Sequence, residues 1–350
     1  MRKTLALALA ALLLVSLGGR ALAATNLLET GSSLLFPLMN LWVATYTQAH
    51  SDVQSTTAST GSGTGISQAI AGVAQVGASD AYMSDGQMKA SPMLNIPLAI
   101  SAQQVNYNVP GLNNVHLNLS GPVLAGIYSG QIQYWDDAKI KAINKPYVGK
   151  LPHQPIVPIR RSDGSGDTFI FTQYLAKSTT SWANGPGYGT TVSWPPVASS
   201  VGAAGNPSMV QTCQGTSYSI AYIGVSFLSQ TDKAGLGYAA LQNQAGKFVL
   251  PTPTMIAAAA RALDAKTPLD ERISLIFAPG DDSYPIINYE YAIVNPKQDD
   301  PTKAVELKKF LTWALEPNGG QSAKFLDAVH FLPLPASIVA KSKAQIEKIQ

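Results

Sequence analysis

The chain has 350 residues, 24 basic and 21 acidic side chains, only 13 % charged residues overall, and one cysteine, Cys213. A general polyanion binder carries a basic excess, so this composition argues against nucleic acid as a partner, and a single cysteine excludes an internal disulfide. The polar chemistry falls mainly to neutral groups and to a few chosen charges.

Residues 1–23 read as a secretory signal peptide. Arg2 and Lys3 precede an apolar run from Leu5 to Leu17, and Ala21-Leu22-Ala23 supplies small residues for cleavage. The run is shorter than the roughly 20 residues of a spanning helix, and no cysteine follows the cleavage point to take a lipid. The expectation is a periplasmic or secreted protein starting at Ala24, without a lipid anchor. Residues 1–23 hold three basic and no acidic side chains, so the remaining 327 residues balance at 21 of each. That length suffices for two domains of ordinary size.

In chain order, Asn26 to Glu29 reads as a strand. Thr30-Gly31-Ser32-Ser33 then leads into a helix with Pro37 in its first turn, where a missing N–H costs nothing, and Leu38, Leu41, Trp42 and Thr45 at helical spacing. Val53 to Ser59 reads as a second strand, and Thr60-Gly61-Ser62-Gly63-Thr64-Gly65 opens a second helix whose inner side includes Ile66 and Ile70. Val73 to Asp80 is a short apolar strand with a carboxylate at its end. Ile96 to Pro110 alternates like a strand leaving one lobe, and Tyr284 to Val294 like one returning. Two helices close the chain, Pro301 to Leu315 with core spacing at Ala304, Leu307, Leu311 and Ala314, and Pro335 to Gln350 with a basic, solvated face.

The stretch from Ile159 to Leu175 carries the chemistry. Arg161 and Asp163-Gly164-Ser165-Gly166 empty into a helix with an apolar period from Phe169. A helix start leaves backbone N–H groups unpaired at the positive end of the macrodipole, and a guanidinium fork matches the oxygens of a phosphate-like anion. Asp163, two residues on, is placed to hold that fork. Three such strand-to-helix junctions, each with Ser or Thr beside Gly, converge on one edge of an open α/β sheet. A carboxylate there, Asp80, accepts a hydrogen bond from a protonated anion and repels one without protons.

Thr30-Gly31-Ser32-Ser33-Leu34-Leu35-Phe36-Pro37, Thr60-Gly61-Ser62-Gly63-Thr64-Gly65-Ile66, Gly77-Ala78-Ser79-Asp80 and Arg161-Ser162-Asp163-Gly164-Ser165-Gly166-Asp167-Thr168-Phe169 stand in the order and at spacings similar to the four binding segments of the periplasmic phosphate-binding proteins of high-affinity ABC phosphate transporters. The chain resembles that family over essentially its whole mature length. The resemblance implies an α/β, two-lobed periplasmic-binding-protein-like (type II) fold, hinge-connected, with the ligand between the lobes. Lobe 1 would comprise 24–105 and 283–350, and lobe 2 106–282. It further implies a non-enzymatic, monomeric receptor without a cofactor that binds inorganic phosphate and serves permease subunits coupled to a cytoplasmic ATPase.

Carried over by position, the resemblance assigns backbone N–H groups to Leu35 and Phe36 and N–H and hydroxyl to Ser62. Asp80 accepts the ligand proton, Arg161 supplies the cation, and Ser165 and Gly166 donate from the third helix start. Enterobacterial members have Thr at the places of Leu35 and Asp167. Here Asp167 accepts a second ligand proton, which would favour monobasic phosphate, or Thr168 takes over the donation, or Asp167 caps its own helix without touching the ligand.

Other conspicuous residues point elsewhere. His50, His116, His153 and His330 lack metal-ligand spacing. Trp135, Trp182, Trp194, Tyr188 and Tyr218 read as core or hinge packing, and Cys213 as a half-buried thiol. Two other functions fit less well. A serine hydrolase using Ser165 or Ser62 lacks the Gly-x-Ser-x-Gly elbow, and the same receptor fold could serve adhesion or sensing.

Overall fold

A computed structural model describes residues 24–350; the signal-peptide reading of residues 1–23 lies outside the described residues. Nine strands form the main sheet: β1 (Thr25–Gly31), β2 (Val53–Ser59), β3 (Val76–Ser79), β4 (Leu94–Asn108), β5 (Val157–Arg161), β6 (Val201–Ala203), β7 (Ser219–Gly224), β8 (Gly237–Tyr238) and β9 (Ile287–Val294). Their order is β2-β1-β3-β9-β4-β7-β5-β6, with β8 also on β4. Six helices matter for the argument: α1 (Phe36–Ala49), α2 (Ser62–Ile70), α3 (Gly166–Ser178), α4 (Gly205–Gly215), α5 (Pro301–Ala314) and α6 (Ala336–Ile346).

β1, β2 and β3 run parallel, with Thr25 opposite Val53 and Glu29 opposite Val76. Parallel neighbours need crossover connections, which α1 and α2 supply. The carboxyl ends of these strands therefore share one edge, and Ser32, Ser62 and Asp80 follow them there. β5 is parallel to both β6 and β7 and ends on Arg161.

The 15-residue β4 joins the two halves. Its first part, up to Ala102, pairs antiparallel with β9, and from Gln103 onward it pairs with β7. Fourteen of its residues are buried, which explains why its apolar and neutral polar side chains alternate without exposing a face. Pro97 cannot donate a ladder hydrogen bond, and the register shifts beside it, between Glu290 and Tyr291.

Each half has its own aromatic packing. In the first, Trp42 Nε1 donates to Gly320 O at 3.1 Å while Tyr46 meets Phe310 at 5.1 Å between ring centroids. In the second, Phe171 stacks on Tyr222 at 4.5 Å. Ala304, Leu307, Leu311 and Ala314 of α5 are all buried, as their spacing predicts.

Several expectations need correction. The strand read from Val73 starts only at Val76, because Gly72 turns with φ +72° and leaves Val73 exposed. The returning strand begins at Ile287 and not Tyr284, whose hydroxyl instead donates to Gln103 O. Cys213 is fully buried on α4, and burial pushes its thiol up to about 12. Tyr188 is 53 % exposed and does not belong to a core.

Candidate functional site

The four segments singled out in the sequence meet where the two halves face each other. Gly63 N donates to Gly164 O at 2.9 Å across the gap. Gly61, the residue before α2, has φ +88°, and a Cβ there would stand 2.6 Å from Asp163 Oδ2. Only glycine meets both demands. A cavity of about 570 Å³ runs alongside, lined by Ile66, Ala81 and Tyr82 from one half and by Phe169, Tyr188 and Thr190 from the other.

Gly166 lets the start of α3 come up against the other half of the site. A Cβ there would lie 2.3 Å from Asp80 Oδ2 and 2.5 Å from Ser62 Oγ. Asp80, Ser62 and the first residue of α3 thus converge on one point, with Ser62 Oγ 3.5 Å from Asp80 Oδ2. The N–H groups of Ser62 and Gly166, first in their helices, have no intrahelical partner. Ser165 Oγ accepts from Thr168 N at 3.2 Å and so caps α3, while its own N–H is taken by Thr190 O at 2.8 Å.

Arg161 is buried and fixed on three sides. Nε and Nη2 both reach the Asp163 carboxylate, the former at 2.7 Å, in the bidentate arrangement its sequence spacing predicts. Nη1 donates to Asp167 Oδ2 at 2.6 Å and to Ser33 Oγ at 3.2 Å. Of the five guanidinium N–H bonds, this leaves one on Nη2. Burial lowers the Arg161 pKa, but the hydrogen bond and charge of Asp163 and the charge of Asp167 reverse that and raise it, so the guanidinium stays charged. Burial acts to raise Asp163, and Arg161 outweighs it, holding that carboxyl below its usual range.

Asp167 is occupied by the protein itself. Oδ2 takes Arg161 Nη1 and Asn206 Nδ2, the latter at 2.7 Å, and Oδ1 takes Gln103 Nε2 at 3.0 Å. Thr168 Oγ1 pairs with the Tyr222 hydroxyl at 2.8 Å. Asp167 therefore clamps the guanidinium, and burial shifts its carboxyl upward against the pull of Arg161.

At the first junction Ser32 organises the loop. Its Oγ accepts from Leu34 N and Leu35 N, both at 3.0 Å, so its hydroxyl hydrogen is free to go to Asp80 Oδ1, which it reaches. Phe36 N donates to Ser32 O at 3.1 Å. The amides of Leu35 and Phe36 are thus present at the start of α1 but already partnered. Asp80 is buried, and burial first, then the charges of Glu290 and Asp167, raise its pKa well above the usual carboxylate range.

Ser33, Gln103, Asn206 and Glu290 also belong to this network and were not singled out from the sequence. Ser33 and Asn206 sit in loop-to-helix contexts that resemble ordinary caps, and Gln103 and Glu290 lie mid-strand. Their only sequence signal was a polar side chain inside an otherwise buried strand. No group of three or more His, Cys, Asp or Glu able to hold a metal ion occurs among the described residues.

Known proteins of this kind share the chain's pattern. A model of the PBP superfamily domain matches residues 19–318. The phosphate-binding protein PstS of Methanocaldococcus jannaschii is 35 % identical over 326 residues, covering 88 % of this chain and 82 % of its own. That of Haemophilus influenzae is 31 % identical over 322 residues, with 92 % of each chain covered. Among solved structures, the high-affinity periplasmic phosphate-binding protein PfluDING, bound with phosphate, superposes with a TM-score of 0.67 at 20 % identity over 91 % of this chain and 93 % of its own. The phosphate-binding protein of Stenotrophomonas maltophilia gives 0.65 at 17 % identity, covering 92 % and 94 %. At such identities the structural likeness establishes the α/β, two-lobed fold alone.

Proposed function

We propose, from the premise that this chain belongs to the PBP superfamily and within it to the phosphate-binding proteins PstS, that it captures inorganic phosphate outside the cytoplasmic membrane and delivers it to an ABC transporter. The partners in this reading are permease subunits driven by a cytoplasmic ATPase. The protein acts as a monomer after export by its signal peptide, binds without catalysis, and needs no cofactor.

The observation that carries the reading is the convergence at Gly166, whose missing side chain lets a buried carboxylate, Asp80, stand beside the Ser62 hydroxyl and the first turn of α3. Asp80 accepts the ligand's P–OH. The remaining Nη2–H of Arg161 donates to a phosphate oxygen, as do Ser62 through N–H and hydroxyl, Ser165 through its hydroxyl and Gly166 through its N–H. Leu35 and Phe36 share their N–H groups between Ser32 and the ligand as three-centre bonds. Asp167 acts through Arg161. Ser33 Oγ already receives Arg161 Nη1 and both nitrogens of Asn206, so its own O–H is available in place of the hydroxyl missing at Leu35.

For the lobes we keep 24–105 with 283–350 and 106–282. The switch of β4 from β9 to β7 between Ala102 and Gln103 supports this division. Near neutral pH phosphate carries one or two protons and sulfate none, so Asp80 discriminates by proton count. The test is calorimetric titration of ligand-stripped mature protein with phosphate and with sulfate. One-to-one phosphate binding without sulfate heat is the expected result. Absence of heat with phosphate would overturn the assignment.

A further inference from the structure

Glu290 lies on β9 beside the register shift opposite Pro97 and is fully buried. Oε1 accepts from Asn288 Nδ2 at 3.0 Å and from the Ser101 hydroxyl, which is also 2.7 Å from Asn288 Oδ1. Oε2 is buried and has no donor among the described residues. What stands within hydrogen-bond reach of the Glu290 carboxyl is the carboxyl of Asp80. Asn288 ties the two together, since Nδ2 also donates to Asp80 O at 3.3 Å.

Two ionised carboxylates cannot hydrogen-bond each other, and in a buried site their repulsion is weakly screened. One of them must hold a proton. Ser32 can give its hydroxyl hydrogen only to Asp80 Oδ1, because its oxygen already receives two backbone N–H groups. The other groups facing the pair are Ser62 on α2 and Ser101 on β4, both neutral, and Asp167 on α3, whose charge is paired with Arg161. No cation contacts either carboxyl directly among the described residues.

Resting on the phosphate reading above, the geometry points to Glu290 as the residue that sets the proton state of Asp80: the two carboxyls hold one proton between them, and phosphate binding fixes it on Glu290. The ionised Asp80 then accepts the Glu290 hydroxyl and the ligand P–OH beside the Ser32 hydroxyl it already holds. Where the free pair still holds its proton, it gains and loses none in this step. Burial raises both carboxyls, Glu290 to about 7, so the free pair sheds its proton at higher pH than an exposed carboxyl does. Binding above that pH must restore that proton, and affinity falls by up to about tenfold per pH unit for each proton taken up.

Glu290→Gln separates this from the ligand's own titration. The glutamine amide still donates to Asp80 but has no proton to restore, so whatever affinity the variant has at pH 7, its binding near pH 9 should lack that proton uptake. Calorimetry with phosphate near pH 9, in buffers of different ionisation enthalpy, should show the wild type taking up one proton more than the variant. The wild-type affinity should also fall about tenfold more steeply per pH unit. Equal proton uptake in the two proteins overturns the proposal while leaving the phosphate assignment intact. A wild type that gives no phosphate heat removes the assignment itself. If the variant does not fold, infrared spectra of the protein with Glu290 intact decide. In a background of Glu29→Gln and Glu271→Gln, which removes the other carboxyls that burial raises to about 8, a protonated-carboxyl C=O band present at pH 6 before and after phosphate addition supports the pair, and its absence rejects it.

Discussion

Asp80→Asn tests the core of the binding argument, because the structure dictates how the new amide must sit. Ser32 has one hydroxyl hydrogen and only the residue-80 side chain to give it to, so the asparagine oxygen takes the Oδ1 position. Its NH2 then replaces Oδ2, the atom facing Ser62 and Gly166. The ligand P–OH loses an acceptor and meets a donor. A charged hydrogen bond contributes about 1.5–3 kcal/mol, so phosphate affinity should fall roughly 10- to 150-fold. Sulfate no longer faces an ionised carboxylate and should gain by a similar factor, so the phosphate-to-sulfate preference should shrink by about 10²–10⁴. Paired calorimetric titrations of ligand-stripped wild type and variant give both numbers. A variant that binds phosphate within about twofold of wild type and still excludes sulfate would refute the reasoning.

Gly166→Ala places a methyl 2.3 Å from Asp80 Oδ2; circular dichroism should show a folded protein, while phosphate affinity should drop by about 100-fold or more, the equivalent of some 2.7 kcal/mol. Arg161→Lys keeps the charge but cannot span Asp163, Asp167 and Ser33 together. Binding should weaken at least about tenfold, and a calorimetric Kd equal to wild type would contradict the clamp. Glu29 is buried on β1, its Oε1 has no partner among the described residues, and burial lifts its pKa to about 8. The folded state therefore binds a proton that the unfolded state releases near its ordinary value of 4.5, so stability is full below that value and declines as pH rises towards 8. Glu29→Gln should be close to neutral at pH 5 and stabilising by about 1 kcal/mol or more at pH 9, read from urea unfolding; a uniform loss at both pH values would reject the burial argument.

The sequence alone carried what is local. Helix starts at Pro37, Ser62 and Ser165 follow from caps, glycine and proline, whose effects act within one turn. The fork of Arg161 and Asp163 was legible because two residues on a strand end place the carboxylate beside the guanidinium. Ends of elements shifted by a few residues, as at Val76 and Ile287, where a positive-φ glycine or a tertiary hydrogen bond decides the boundary. Tertiary structure decided what each buried polar group faces. The sequence leaves Asp167 between ligand and helix cap; in the fold Gln103 and Asn206, 64 and 39 residues away in the chain, converge on its oxygens beside Arg161. Glu290 reaches Asp80 only because β9, formed 208 residues after β3 has ended, inserts between β3 and β4. A buried carboxyl's partner is set by sheet order, which depends on how the whole chain closes, and no local pattern of residues encodes it.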